Sequence, residues 1–140
     1  MGAQVCVATL TGHTDWVSCL AVLPDGRLAS GGSDAAVRLW DVGARACVDV
    51  LPRLTDGVAA LAALQDGRLA TGSDDGTIRL WDTRPAAAAG TSCAPPVEVV
   101  GILGGSVQAL LPLPDGRLAC GDGNGALCLL DLPPPAAYYE

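Results

Sequence analysis

The phrase Asp-Gly-Arg-Leu-Ala occurs three times, at residues 25–29, 66–70 and 115–119. The first two copies stand 41 positions apart and the last two 49. A second marker keeps step with it: Trp40-Asp41, Trp81-Asp82 and Leu130-Asp131 are separated by the same 41 and 49 positions. Self-similarity at a period near 40 residues marks a repeat architecture, in which each copy is one supersecondary unit that buries its apolar surface against the next. No other feature constrains the fold as tightly, because three copies must share one local structure. The late third copy is explained by an Ala/Pro-rich insertion at 83–96, read as a solvated loop.

Within a copy the pattern is of short strands separated by turns. Trp16–Leu23 is a near-continuous apolar run, as for a strand covered on both faces. Pro24-Asp25-Gly26 then sets a tight turn, since Pro fixes φ at the first corner and Gly accepts positive φ at the last. Arg27–Gly31, Val37–Asp41 and Ala46–Leu51 follow as strands. The second copy repeats this as Val58–Leu64, Arg68–Gly72, Thr77–Asp82 and Val97–Leu103, and the third as Val107–Leu113, Arg117–Gly121 and Ala126–Asp131. Gln4–Leu10 aligns in phase with the strand at Ala46–Leu51 and reads as a fourth strand without a blade of its own.

Four short strands in about 40 residues match a propeller blade. With Gly12-His13, Leu28-Ala29-Ser30-Gly31, Asp34 and Trp40-Asp41, and with the run from Leu69 to Asp82, the chain resembles the WD-repeat β-propeller family. The resemblance covers about residues 4–131 and implies an all-β fold: three four-stranded antiparallel blades forming an incomplete ring in a single chain. The implied organisation is a partial propeller over 1–132 and a proline-rich tail over 133–140. Strand 4–10 belongs to the last blade or a neighbouring one. Blade one spans 11–51, blade two 54–103, and blade three 104–131 without its outer strand. The resemblance also implies a hydrogen-bonded structural network. Blade one holds all four members, His13, Ser30, Asp34 and Trp40. Blade two keeps Thr71, Asp75 and Trp81 with Leu54 at the His position. Blade three has Leu103, Cys120, Asn124 and Leu130, so its set is gone and it is expected to be the least rigid.

Charge and composition exclude several functions. The net charge is −7, and the eight basic residues are arginines scattered singly, which argues against a nucleic-acid partner. No apolar run approaches the length of a membrane span, and the N-terminus lacks a basic signal region, so a cytoplasmic protein is expected. The six cysteines show no C-x-x-C spacing, and one His does not complete a zinc set. Five of them sit in apolar runs and read as buried small hydrophobes. No metal or cofactor is expected. His13, Ser30 and Asp34 spell a Ser-His-Asp set, but no Gly-x-Ser-x-Gly elbow surrounds Ser30. Gly121-Asp122-Gly123-Asn124-Gly125 lacks the calcium and phosphate-loop patterns and reads as a turn.

The expected function is a non-catalytic protein-interaction scaffold. The family's binding surface maps to Thr14, Asp15, Trp16 and Ser33 in blade one and to Asp56, Gly57 and Asp74 in blade two. In blade three it maps to Gly105, Ser106 and Gly123. Asp15, Asp56 and Asp74 make that face acidic, which favours a basic protein or peptide partner. Trp16 is either an interface anchor or packed on the neighbouring blade. Two other readings stand beside this one: a propeller hydrolase using the central pore, and a fragment without function of its own. Three blades fall short of a closed ring. Completion comes either from a homodimer forming a six-bladed ring or from further blades elsewhere. An uncovered third blade is expected to expose Leu113, Leu118, Leu127 or Leu129.

Overall fold

A computed structural model describes residues 5–51, 56–83 and 97–133. Leu54, most of the insertion at 83–96 and all but the first residue of the tail at 133–140 lie outside them. The described residues form eleven strands: β1 (Val17–Val22), β2 (Leu28–Gly32), β3 (Val37–Asp41), β4 (Ala46–Val50), β5 (Val58–Ala63), β6 (Arg68–Ser73), β7 (Thr77–Asp82), β8 (Val97–Ile102), β9 (Val107–Pro112), β10 (Arg117–Asp122) and β11 (Leu127–Asp131). They make three antiparallel sheets, ordered β1-β2-β3-β4, β5-β6-β7-β8 and β9-β10-β11.

The repeated phrase builds the same hairpin in each blade. Gly26, Gly67 and Gly116 take φ of 94°, 93° and 90°, where a side chain would be strained. Asp25, Asp66 and Asp115 each accept the backbone N–H two residues on, at 3.0, 3.1 and 3.1 Å. The same carboxylates accept the Nε–H of Arg27, Arg68 and Arg117 at 2.7, 2.9 and 2.8 Å. Asp-Gly-Arg is therefore one turn device used three times. The innermost strands also share a register shift, between Val17 and Cys19 and between Val58 and Ala60, matched across from Val107 between Gly121 and Asp122.

The apolar cores lie between blades. Leu23, Ala29, Val37, Leu39 and Leu51 of blade one pack with Val58, Leu61, Leu69 and Trp81 of blade two. Ala60, Ala62, Ala70, Ile78 and Leu80 of blade two pack with Val107, Leu118 and Cys120 of blade three. Blade two is thus covered on both sides, and the outer faces of blades one and three are open. Trp40 and Trp81 are both buried.

Four expectations change. β1 is not covered on both faces: Val17, Leu20 and Val22 are exposed, because among the described residues no blade packs on that side. Leu118 is fully buried, because it points back into the core shared with blade two, while Leu127 and Leu129 are exposed and Leu113 is half-buried. Of the cysteines, Cys120 is buried and Cys19 and Cys128 are half-buried, but Cys6 and Cys47 are exposed. Cys47 lies on β4, whose residues are all exposed; Cys93 is outside the described residues. Residues 5–10, expected as a strand, have no regular structure. A strand there requires a sheet edge alongside it to satisfy its backbone.

Candidate functional site

Blade one holds a four-residue hydrogen-bonded chain. His13 Nε2 lies 2.6 Å from Ser30 Oγ, and His13 Nδ1 lies 3.0 Å from Asp34 Oδ2. Trp40 Nε1 donates to Ser30 Oγ at 2.8 Å. The proton order follows from donor and acceptor types. Indole nitrogen only donates and an ionised carboxylate only accepts. His13 Nδ1–H therefore donates to Asp34, which in the neutral ring leaves Nε2 to accept the Ser30 hydroxyl proton, while Ser30 Oγ accepts from Trp40. Asp34 also accepts the Thr14 amide at 2.9 Å and the Ala36 amide at 3.2 Å. Burial opposes its ionisation, but these donors and the His13 ring prevail and hold the carboxyl below the usual range.

Blade two keeps a shorter version. Trp81 Nε1 donates to Thr71 Oγ1 at 3.0 Å. Asp75 accepts the Thr77 amide at 2.9 Å and the Ser73 hydroxyl. In blade three, Cys120 stands in the position of Ser30 and Thr71, fully buried, and Leu130 stands in that of the Trp. With no indole N–H there, no acceptor is needed. Burial pushes the Cys120 thiol up to about 11, and does the same to Cys19. The glycine-rich run at 121–125 closes β10 and forms the β10–β11 turn, with Asp122 accepting the amides of Asn124 and Ala126 at 2.9 Å.

The loops leading into β1 and β5 meet the β2–β3 turn in a groove of about 370 Å³. Its lining is Thr14, Asp15, Ser33, Asp34 and Ala35 from blade one and Asp56 and Gly57 from blade two. Five of the residues singled out in the sequence therefore lie together: Thr14, Asp15, Ser33, Asp56 and Gly57. Asp74 adjoins them, since its amide bonds the Gly57 carbonyl at 2.9 Å. A Cβ on Gly57 would come within 2.7 Å of the Asp74 carboxylate and 3.5 Å of Ser33 Cα. The missing side chain is what lets that carboxylate lean over the loop. Asp15, Asp56 and Asp74 are all exposed, and among the described residues no arginine lines the groove. Trp16 is 79% exposed, so it does not pack on the neighbouring blade; its carbonyl accepts the Ser33 amide at 2.8 Å. Ser106 and Gly123 are bonded to each other in blade three, 2.9 Å from carbonyl to amide, and lie outside the groove.

Two arginines have a role between blades that single-residue reading missed. Arg27 crosses from blade one to donate to the Thr83 carbonyl of blade two. Arg68 crosses from blade two to donate to the Pro133 carbonyl, just past blade three, at 2.6 Å. The signal that marks them is the recurrence of arginine in phase with Asp-Gly, at 27, 68 and 117.

The sequence model of the family described as "WD domain, G-beta repeat" matches residues 4–41 and 45–82, more than half of the chain. The chain belongs to the WD-repeat family. Its relatives by sequence include an uncharacterised WD repeat-containing protein of Schizosaccharomyces pombe, 55% identical over 38 residues. They also include the small ribosomal subunit protein RACK1z of Arabidopsis thaliana, 61% identical over 36 residues, and the nuclear distribution protein PAC1 of Arthroderma otae, 55% identical over 38. These matches cover 26%, 25% and 26% of this chain and only 10%, 11% and 8% of the relatives. This WD-repeat chain thus aligns with about a tenth of the length of the curated relatives it matches. Both matched family units begin one strand before the innermost one, at 4 and at 45. That start gives residues 4–10 the same place in their unit as β4 has in the next.

Proposed function

We propose that this WD-repeat chain is a non-catalytic, intracellular interaction scaffold whose acidic groove between blades one and two takes a basic peptide segment of a protein partner. The observation that carries the reading is the groove itself. Exposed carboxylates of Asp15 and Asp56 line it from two blades and that of Asp74 adjoins it beside Gly57, with no arginine among the described lining residues, on a chain of net charge −7. Such a surface raises the encounter rate with a cationic segment and repels an anionic one. A non-catalytic role is supported by the state of the Ser-His-Asp set. Both His13 nitrogens are engaged, and Ser30 is buried and already accepts from Trp40. One relative is named as a small ribosomal subunit protein, a setting of large assemblies in which a scaffold serves. The scaffold works with its ring completed, by a second copy or by further blades, because closed propellers hold about four to eight.

Fluorescence anisotropy with a labelled oligolysine peptide tests the reading. Exposed charge pairs are worth about 0.2–1 kcal/mol each. Converting Asp15, Asp56 and Asp74 together to Asn should therefore weaken binding about tenfold and flatten its salt dependence. Unchanged affinity in that triple variant refutes the groove as the site.

A further inference from the structure

Blades one and two each carry a strut between their second and third strands. Trp40 Nε1 on β3 donates to Ser30 Oγ on β2 at 2.8 Å, and Trp81 Nε1 on β7 donates to Thr71 Oγ1 on β6 at 3.0 Å. Blade three holds neither partner, with Cys120 at the hydroxyl position of β10 and Leu130 at the indole position of β11. It departs from the other two at one more position on the same face. Arg38 is paired across from Ser30, and Arg79 across from Thr71. Across from Cys120 stands Cys128. Among the described residues no other two cysteines are strand partners, since Cys19 pairs with Gly31 and Cys47 with Trp40.

The pairing sets the two thiols side by side. Residues directly opposite on antiparallel strands share a face, with Cα atoms about 4.5 or 5.5 Å apart and Cβ atoms about 4.5–5.5 Å apart. A disulfide accepts Cα separations of about 4.4–6.8 Å and Cβ separations of about 3.5–4.5 Å, so a bridge asks the strands to close by at most about 1 Å. Both cysteines are free, and both belong to the apolar core between blades two and three, Cys120 buried within it and Cys128 half-buried at its margin. The two differ in access. Burial pushes the Cys120 thiol up to about 11, and alone it is an unreactive small hydrophobe. Cys128 is the sulfur that an oxidant reaches first.

We infer that Cys120 and Cys128 are a redox-sensitive pair, which a peroxide converts to a disulfide tying β10 to β11 where the hydroxyl–indole strut ties the matching strands of blades one and two. The Cys128 thiolate attacks one oxygen of hydrogen peroxide. The O–O bond breaks, Cys128 becomes a sulfenic acid, and the departing hydroxide takes up the proton that the thiol gave to solvent. The Cys120 sulfur then attacks the Cys128 sulfur. An S–S bond forms, the S–O bond breaks, and the leaving hydroxide carries off the Cys120 proton as water. Two thiols and one peroxide thus become one disulfide and two waters, and a small thiol reverses the bridge by exchange. The reduced blade lacks the strut and the oxidised blade has one. The pair lies within a single blade, so the switch needs no second copy and holds whether or not further blades adjoin. It is also independent of the groove reading.

Peptide mass spectrometry of the whole folded chain tests this. Trypsin cuts after Arg117 and no basic residue follows, so residues 118–140 leave as one peptide holding Cys120 and Cys128 and no third cysteine. From the reduced chain, iodoacetamide should label both. After hydrogen peroxide, with alkylation under non-reducing conditions, the peptide should carry no label and be lighter than its dithiol form by two hydrogen atoms. Dithiothreitol should restore both labels. On oxidation the urea midpoint should rise by about 1 M, because the bridge closes a short loop in the unfolded chain. Cys128→Ser should show no such rise; if that variant fails to fold, the wild type before and after oxidation, with its peptide masses, decides alone. Both labels retained once peroxide has oxidised the exposed Cys6 and Cys47 overturns the pairing. So does either cysteine joined to a different one, or Cys128 carried to sulfinic acid with Cys120 still labelled. A bridged chain whose midpoint does not rise overturns the strut.

Discussion

Replacing Ser30 by Ala removes the central link of the blade-one chain, and the cost is readable from what it strands. Ser30 Oγ accepts the Trp40 indole N–H at 2.8 Å and lies 2.6 Å from His13 Nε2. Ser30 and Trp40 are buried, and the His13 side chain is 7% exposed, so water does not replace the lost hydroxyl. A buried polar group left without its partner costs about 1–3 kcal/mol. Two such groups put Ser30→Ala at about 3 kcal/mol. Thr71→Val in blade two, near-isosteric, strands only the Trp81 N–H and should cost about 1.5 kcal/mol. With a urea m-value of about 2 kcal/mol/M, the midpoints should fall by about 1.5 M and about 0.7 M at unchanged m. Urea titrations followed by tryptophan fluorescence measure both. Equal shifts, or a Ser30→Ala shift within the surface scatter of about 0.5 kcal/mol, refute the argument that His13 and Trp40 both depend on Ser30. Esterase or peptidase activity lost in Ser30→Ala at unchanged midpoint refutes the structural role altogether.

Two further outcomes follow from burial and charge. Trp81→Ala should cost about 3–5 kcal/mol in a urea titration, as large core truncations do, while Leu130→Ala, at a half-buried site, should cost less. Asp34 has its folded pKa depressed, so its contribution is fully present above the unfolded value of about 3.9 and is lost as pH falls through the lower folded value. Urea midpoints of wild type and Asp34→Asn should therefore differ at pH 7 and converge below about pH 4; a gap that stays constant on acidification contradicts the assignment.

The strands were legible almost to the residue, because each is bounded by a turn whose chemistry is written in the chain. Gly26, Gly67 and Gly116 fix the hairpins, and the Trp-Asp marker fixes the end of the third strand. Burial was not legible in the same way. Val17 and Val58 are the same residue in the same register, yet one is half exposed and the other is sealed. What separates them is the contact of Val58 with Gly31 of the preceding blade, which no local pattern encodes. The apolar run at β1 therefore reads as doubly covered when only one side is.

The groove shows the same division. Its residues are implied by the family resemblance, mapped one blade at a time, and phase places Asp15 and Asp56 on equivalent loops of different blades. That they face one space depends on how blade two seats against blade one. The seating is set by Val58 over Gly31 and by the Arg27 latch onto the Thr83 carbonyl. A backbone carbonyl as acceptor leaves no mark on the sequence, so the latch stays hidden until the fold is in hand. Gly57 is legible only in retrospect: its lack of a side chain is what admits the Asp74 carboxylate beside Ser33. The charge of this face and the packing of its blades thus rest on neighbouring glycines, and a side chain added at Gly31 would reach the groove by tilting one blade against the next.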